Sequence, residues 1–484
     1  MYHSKIFSQM TNRNHNAGSV SVAIDIGTTK ICAIAGTLDE FGRLEVLSFG
    51  TVKSEGVNRG VVVNIDKTVK AIREAVDIAE RGAGFKFKIV HVGIAGQHIK
   101  SLHNLGRITR LDHNSEISIE DIERLIKDMY RIPLPPGDKI LHVIPQEFTV
   151  DDEKDIADPI GMAGYRLEGN FHIITGQISA SKNIMRCIEK GGLEIADLTL
   201  EPIASASAVL SGEEKEAGVA LIDIGGGTTD ITIFKDGIIR HTAVIPFGGN
   251  IITDDIKEGC TVLTDQAEKL KVKFGNALSD ELVDNRKIII PGLKGREPKA
   301  ISEKNLSKII QARVEEIFDY ILFEIKRSGY ERKLQAGLVL TGGGALLKNI
   351  DLLAQFHTGM HARIGEPIEH LAHGYNKELA SPMYATAVGL LKYAIDNTKQ
   401  DSKYSVDLLN TEVETPSSTI TTAPLVNKAT AAANTAAMVK PVAEDDQEDD
   451  DVEKPTIERK FMKLVRKISS YTRDFFEPTP DHEL

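Results

Sequence analysis

The stretches SVAIDIGTTK (residues 21–30) and VALIDIGGGTTD (residues 219–230) decide how this chain is read. Each is a strand-like run that ends in Asp-Ile-Gly, passes through a Gly/Thr turn and enters a second β-rich run. The recurrence indicates an internal duplication, two α/β halves whose Asp-Gly turns face each other across a cleft. Glycine in such a turn lets a ligand approach the backbone, and consecutive N–H groups form a concavity for an anion. Gly27, Thr28 and Thr29 in the first turn, and Gly225, Gly226, Gly227, Thr228 and Thr229 in the second, therefore suit a polyphosphate. A carboxylate repels phosphate, so Asp25 and Asp223 fit better as ligands to the water shell of a Mg2+ ion, which keeps several waters and takes few carboxylates. Lys30 would neutralise phosphate charge. Either motif alone also reads as an ordinary hairpin, where Asp and Gly are common. Three consecutive glycines weaken a hairpin without reason, and the two motifs together favour the phosphate reading.

A third glycine-rich element, GLVLTGGGALLKNI (residues 337–350), places Gly342, Gly343 and Gly344 between a buried strand and a helix, where a base or ribose can lie on bare backbone. It has neither the Gly-Lys-Ser/Thr of a P-loop nor the G-x-G-x-x-G of a Rossmann turn. At 484 residues the chain is too long for one core, and roughly two to four domains are expected. From residue 19 to about residue 396 short β-branched runs alternate with helical patterns, as in α/β architecture. A formal net charge of -12 argues against a nucleic-acid binder. Cys32, Cys187 and Cys260 lie far apart without a CxxC pair, so a reducing cytosol suits them better than a disulfide or zinc framework. The apolar runs are too short to span a bilayer. Residues 1–18, rich in Asn, His and Ser, read as a disordered leader rather than a signal peptide.

Beyond residue 396 the composition changes. Residues 397–455 read as a disordered linker: a Thr/Ala-rich stretch without period, then EDDQEDDDVE (residues 444–453), whose like charges repel. Its roughly 58 residues would span ~40 Å as a coil. Residues 456–477 regain helical periodicity. At 100° per residue Ile457, Phe461, Leu464, Val465, Ile468, Tyr471, Phe475 and Phe476 fall within an arc of about 140°, with Arg459, Lys463, Arg466, Lys467 and Arg473 opposite. An apolar stripe facing away from cations is the pattern of an amphipathic helix lying on anionic lipid. A helix that docks in a partner protein's groove shares the pattern.

DIGTTK, DIGGGTTD and TGGGA, in this order, resemble the two phosphate motifs and the adenosine motif of the actin/Hsp70/sugar-kinase superfamily. In detail SVAIDIGTTKICAIAG, GVNRGVVVNI, VGIAGQHIKS, LEPIASASAVL and PFGGNIITDDI look like the FtsA family of bacterial cell-division proteins, over about residues 21–394. The resemblance implies an α/β, actin-like ATPase fold: two duplicated RNase H-like domains around a nucleotide cleft, with an inserted small α+β subdomain and a C-terminal amphipathic helix. It implies a first domain of residues 19–96 and 176–208 with a return helix at 381–396, and an insertion at 97–175. The second domain would be residues 209–240 and 336–380, with a smaller subdomain at 241–335. ATP and Mg2+ would be met by the residues of the two phosphate turns named above. Glu201 falls where relatives place the residue that orients attacking water; an acid in the first turn of a helix, beside Pro202, is its plainer reading. Glu268 and Lys271 would hold ribose and base, an ordinary i,i+3 ion pair being the alternative.

The implied function is ATP-dependent self-assembly into a filament, recruitment of the tubulin-like division protein FtsZ around residues 301–330, and contact with other division proteins. The tail would hold the protein peripherally on the cytoplasmic face of the inner membrane at the division site, and hydrolysis would be slow or regulatory. A sugar or small-molecule kinase of the same superfamily would need an acceptor signature, which is not evident, and has no use for the tail. A pilus-assembly platform protein of similar fold would not be expected to carry that tail. A chaperone would need a β-rich substrate domain.

Overall fold

The computed structural model describes residues 20–110, 115–282, 285–292 and 297–399. Strands β1 (Ser21–Ile26) and β12 (Val219–Ile224) are apolar at nearly every position, as befits strands covered by helices on both faces. Each turns back into an antiparallel neighbour, β2 (Lys30–Leu38) and β13 (Thr229–Lys235), with Ile26 opposite Ile31 and Ile224 opposite Thr229. A third antiparallel strand follows in each half, β3 (Leu44–Lys53) and β14 (Ile238–Ile245). On its other side β1 pairs in parallel with β6 (Ile89–Ile94), and β6 with β11 (Glu194–Leu200). Likewise β12 pairs with β17 (Gly337–Thr341), and β17 with β18 (Ala362–Ile364). The orders β3-β2-β1-β6-β11 and β14-β13-β12-β17-β18 are the same topology twice, so the duplication suggested by the two motifs is present in the strand order.

In the first half a short hairpin, β4 (Val57–Asn58) and β5 (Val61–Val62), leads into the crossover helix α1 (Ile65–Ala83). Asn64 caps α1 by accepting from the Lys67 N–H, and Ala71, Ile72, Ala75, Val76 and Ala79 form the stripe it buries on the sheet. The chain then inserts a separate antiparallel sheet in the order β7-β10-β8-β9, from β7 (Lys100–Thr109), β8 (Asp138–Val150), β9 (Glu153–Ile156) and β10 (Arg166–Gln177). Helix α2 (Ile119–Met129) covers it, and Ile122, Leu125, Ile126, Phe148 and Phe171 form a core of its own. Helix α3 (Ile178–Lys190) returns to β11. The inserted α+β unit expected from the resemblance is therefore a distinct packed body.

Helices α4 (Glu201–Val209) and α5 (Gly212–Ala217) carry the chain into the second half. Between β14 and β17 lie α6 (Gly249–Cys260), α7 (Thr264–Phe274), the hairpin β15 (Lys287–Ile290)–β16 (Lys299–Ser302) and the long α8 (Glu303–Ser328). Helix α9 (Ile350–Thr358) joins β17 to β18, and α10 (Ala385–Lys399) returns to the first half.

The two halves share one core. Along β1, Val22, Ile24 and Ile26 face α1, while Ala23 faces α4 and α10. Along β12, Ala220, Ile222 and Ile224 face the second half's own helices, while Val219 and Leu221 face α4 and α10. Asp25 and Asp223 have the parity of Ala23 and Leu221, so the period of two carries both carboxylates to the α4–α10 side. There the helices cross with almost no gap: a Cβ on Gly389 would lie 1.9 Å from the Ala204 carbonyl oxygen.

Among the described residues no helix is long and apolar enough to cross a membrane. Helix α10 runs to Lys399, three residues into the stretch expected to be linker; the leader, the rest of the linker and the amphipathic stretch from Ile457 to Phe476 lie outside the described residues. Gly389→Ala should destabilise the full chain by about 1–3 kcal/mol through overpacking at the crossing, read as a lowered urea midpoint, whereas alanine at the exposed Gly212, beside which nothing lies within 4 Å, should shift it less.

Candidate nucleotide-binding site

The two motif turns are built alike. The Gly27 N–H donates to the Lys30 carbonyl at 3.0 Å, and the Gly225 N–H to the Thr228 carbonyl at 2.9 Å. What their glycines supply is space rather than a left-handed backbone. A Cβ on Gly226 would lie 1.9 Å from Thr29 Oγ1, and one on Gly227 2.9 Å from both Thr28 Oγ1 and the Arg59 Cα. The second turn thus presses bare backbone against the two threonines of the first. It is held from behind by the start of α6, where the Gly249 and Asn250 N–H groups donate to the Gly225 and Gly226 carbonyls, each at 2.8 Å. Thr229 Oγ1 donates to the Phe247 carbonyl at 2.8 Å.

Beneath the turns acidic groups outnumber bases. Lys30 Nζ donates to Asp25 Oδ2 at 2.7 Å, and lies 5.2 Å from the Tyr384 ring centre. Burial opposes a charged Lys30, but Asp25 outweighs it and holds the ammonium above its ordinary value. The lysine expected to neutralise phosphate is thereby committed to a carboxylate. Asp223 Oδ2 accepts from Ser205 Oγ at 2.9 Å on α4 and from Thr386 Oγ1 at 3.3 Å on α10. Burial still leaves its carboxyl above the usual range, Asp25 adding to the effect and the two hydroxyls opposing it. Glu201 opens α4 and lies along Gly93 of β6, where a Cβ would come within 2.8 Å of its Cγ. Burial first, then the charges of Asp25, Asp230 and Asp223, push Glu201 well above an ordinary carboxylate.

Asp230 was not singled out by the sequence reading, although it ends the DIGGGTTD motif. It stands directly across the ladder from Asp223, where the first half has Cys32 opposite Asp25. Its Oδ2 accepts from Thr228 Oγ1 at 3.2 Å and its Oδ1 is buried without a partner. Burial and then Asp223 push this carboxyl up to about 7. The signal that finds it is the four-residue turn, which puts the last Asp of the motif beside the first.

No group of three His, Cys, Asp or Glu among the described residues is placed to hold a metal ion directly. Clustered acids with an unpartnered buried oxygen instead fit a hydrated divalent ion, with water between carboxylate and metal.

The third glycine element is more constrained than a bare platform. Gly342 has φ 82, and its Cβ would lie 2.3 Å from Asp223 Oδ1; a Cβ on Gly344 would meet Ile224 Cγ2 at 2.3 Å. Only Gly343 faces open space. The segment continues as a 3-10 turn (Gly343–Leu346), and the α-helix starts only at Ile350 because Asn349 breaks the path with φ 61. Glu268 and Lys271 pair at 2.8 Å on α7. Lys271 Nζ also donates to the Gly249 carbonyl at 2.8 Å and Thr253 Oγ1 at 2.7 Å, which fastens α7 to the start of α6 and so to the second turn.

A duplicated sheet pair, joined turns and exchanged helices define an actin-like ATPase fold. The family model described as "Cell division protein FtsA" matches residues 220–389, and that of the "SHS2 domain inserted in FTSA" matches residues 96–175. Cell division protein FtsA of Pseudomonas aeruginosa is 39% identical over 390 residues, covering 81% of this chain and 93% of its own length. That of Neisseria meningitidis serogroup B is 41% identical over 372 residues, covering 77% and 89%. The chain belongs to the FtsA family of cell division proteins. A solved PilM-PilN type IV pilus biogenesis complex superposes with a TM-score of 0.57 at 14% identity, covering 78% of this chain and 98% of that one, a likeness of fold alone. The kinase and pilus-platform readings are not favoured beside these relatives.

Because Asp230 titrates higher folded than unfolded, its contribution is fully present below about pH 4 and is lost as pH rises through about 7. In metal-free protein, Asp230→Asn should raise the thermal midpoint at pH 8 and leave it nearly unchanged at pH 4. An equal shift at both pH values would contradict the titration.

Proposed function

We propose that this FtsA-family protein binds ATP with Mg2+ between its two motif turns, assembles with itself, and ties the FtsZ ring to the cytoplasmic membrane at the division site. The observation that carries the nucleotide part is the contact of the two turns across the shared core, with acids from both halves beneath it. Asp25 and Asp223 would hold the ion through water. Gly27, Thr28, Thr29 and the Gly225–Thr229 backbone would face the phosphates, and Gly342, Gly343 and Gly344 with Glu268 and Lys271 would flank the nucleoside. Bound Mg2+ would offset phosphate charge and polarise the terminal phosphate. Glu201, whose carboxyl burial and then the neighbouring aspartates hold well above the ordinary range, would orient the attacking water.

Anchoring would draw on the tail. As a single helix with Phe461, Leu464, Ile468 and Phe475 on its apolar face and Lys463, Arg466 and Lys467 opposite, it would bind anionic lipid reversibly. A filament carrying many such tails gains by effective concentration, so weak anchors become collectively firm. The region around α8 is the proposed contact for FtsZ, resting on family resemblance.

Purified full chain mixed with anionic vesicles should pellet with them and coat them with filaments when ATP and Mg2+ are present. A truncation ending at Lys454 should still assemble but stay in the supernatant. Failure of both chains to bind lipid or assemble would remove the cytoskeletal reading.

A further inference from the structure

A bound polyphosphate needs compensating cations, and the lysines at this cleft are already committed. Lys30 is paired with Asp25 at 2.7 Å, and Lys271 with Glu268 at 2.8 Å. Around them the buried carboxyls of Asp223, Asp230 and Glu201 supply acids and no further base. Mg2+ offsets part of this, but the terminal phosphate oxygens still lack a cationic protein partner.

Arg59 lies with its backbone beside both motif turns. It occupies the tip of the β4–β5 hairpin, exposed and without an ion-pair partner among the described residues. The hairpin is fixed to both turns. The Gly60 N–H donates to Thr28 Oγ1 at 3.0 Å in the first. In the second, a Cβ on Gly227 would lie 2.9 Å from the Arg59 Cα and 3.0 Å from its nitrogen. Arg59 has φ 47, a left-handed backbone that a non-glycine residue adopts at a cost and that clusters at ligand sites. Gly60, at φ 73, packs onto Gly96, whose Cα would lie 2.5 Å from a Gly60 Cβ. The Arg59 carbonyl accepts from the Gln97 N–H at 3.4 Å, three residues before the inserted sheet begins at Lys100.

We propose that Arg59 is a phosphate-binding residue of the nucleotide site, contacting the terminal phosphate of a nucleoside triphosphate from the β4–β5 hairpin; this rests on the nucleotide reading above. A guanidinium suits the task because its planar fork matches phosphate oxygens and stays charged at any working pH. The backbone geometry explains the placement: with Gly226 and Gly227 pressed against the first turn, the hairpin tip is the part of the first half that reaches both turns at once. A triphosphate is read where a diphosphate ends short, so the contact discriminates between the two.

The test measures equilibrium binding of fluorescent ATP and ADP analogues, with Mg2+, to full-length wild type, Arg59→Ala, Arg59→Gly and Arg59→Lys. Arg59→Gly relieves the left-handed backbone, so a loss shared with Arg59→Ala comes from the missing guanidinium rather than from strain. Both should weaken ATP by about tenfold or more, and ADP by much less, with partial recovery in Arg59→Lys. Unchanged thermal midpoints without nucleotide would exclude a folding defect. If wild type binds ATP and the Ala and Gly variants bind it equally well, or lose ATP and ADP alike, the proposal falls while the nucleotide reading survives. If wild type binds neither nucleotide, both fall.

Discussion

Where α10 passes over α4, Gly389 and the Ala204 carbonyl come so close that no side chain fits between the helix backbones. The crossing fixes the distance between the halves, because each sheet rests one face on that pair of helices. It also supplies the polar atoms of the cleft floor. Ser205, beside Ala204, and Thr386, one turn before Gly389, hydrogen-bond each other at 3.0 Å and both reach Asp223. A change in separation of the halves therefore strains a backbone contact and loosens a buried carboxylate together. This couples cleft geometry to the core without any long-range pathway, since the same few residues belong to both.

The repeat of Asp-Ile-Gly and its turn was readable because turn chemistry is local: close backbone approach demands glycine whatever the rest of the chain does. The faces of β1 and β12 were not legible in this way, because both strands are apolar almost throughout; packing against α4 and α10 shows which side Asp25 and Asp223 share. What could not be read were consequences of distant pairing. Lys30 meets Asp25 because β1 and β2 are antiparallel neighbours, an arrangement that a turn-centred reading left aside in favour of phosphate. Gly93 looks like an ordinary strand glycine until Glu201, more than a hundred positions later, is found lying on it. Gly342 likewise carries a demand its own turn does not announce: its φ of 82 and its approach to Asp223 Oδ1 come from packing against another strand. Arg59 carries no local signal at all; its meaning arises from a hairpin touching two turns from different halves.

The inserted subdomain shows the same limit on a larger scale. The resemblance implied an insertion at 97–175, yet nothing local says that four strands and α2 form a body apart from the main two sheets. Packing makes it so: Phe171, Ile122 and Leu125 are satisfied among themselves, and the chain returns through α3 to finish the first sheet with β11. An insertion with its own core can be accommodated between β6 and β11 because those strands still pair in parallel, from Glu194 opposite Ile89 to Leu200 opposite Ile94.

Charge gives the cleft its direction of response. Metal-free, burial and mutual repulsion raise Glu201 well above an ordinary carboxylate and Asp230 to about 7, while Asp25 is paired with Lys30. A divalent cation held among these carboxyls would oppose their protonation, which would link its binding to pH. Polyphosphate without a cation would meet an acidic floor that raises its cost of entry, whereas polyphosphate with its metal brings the compensation it needs. The proposed arginine at the hairpin tip would add positive charge beside both turns while the Lys30–Asp25 pair stays intact. The arrangement separates two tasks that one lysine could not perform together: pairing with buried Asp25 between the halves, and meeting the end of a phosphate chain at their shared edge.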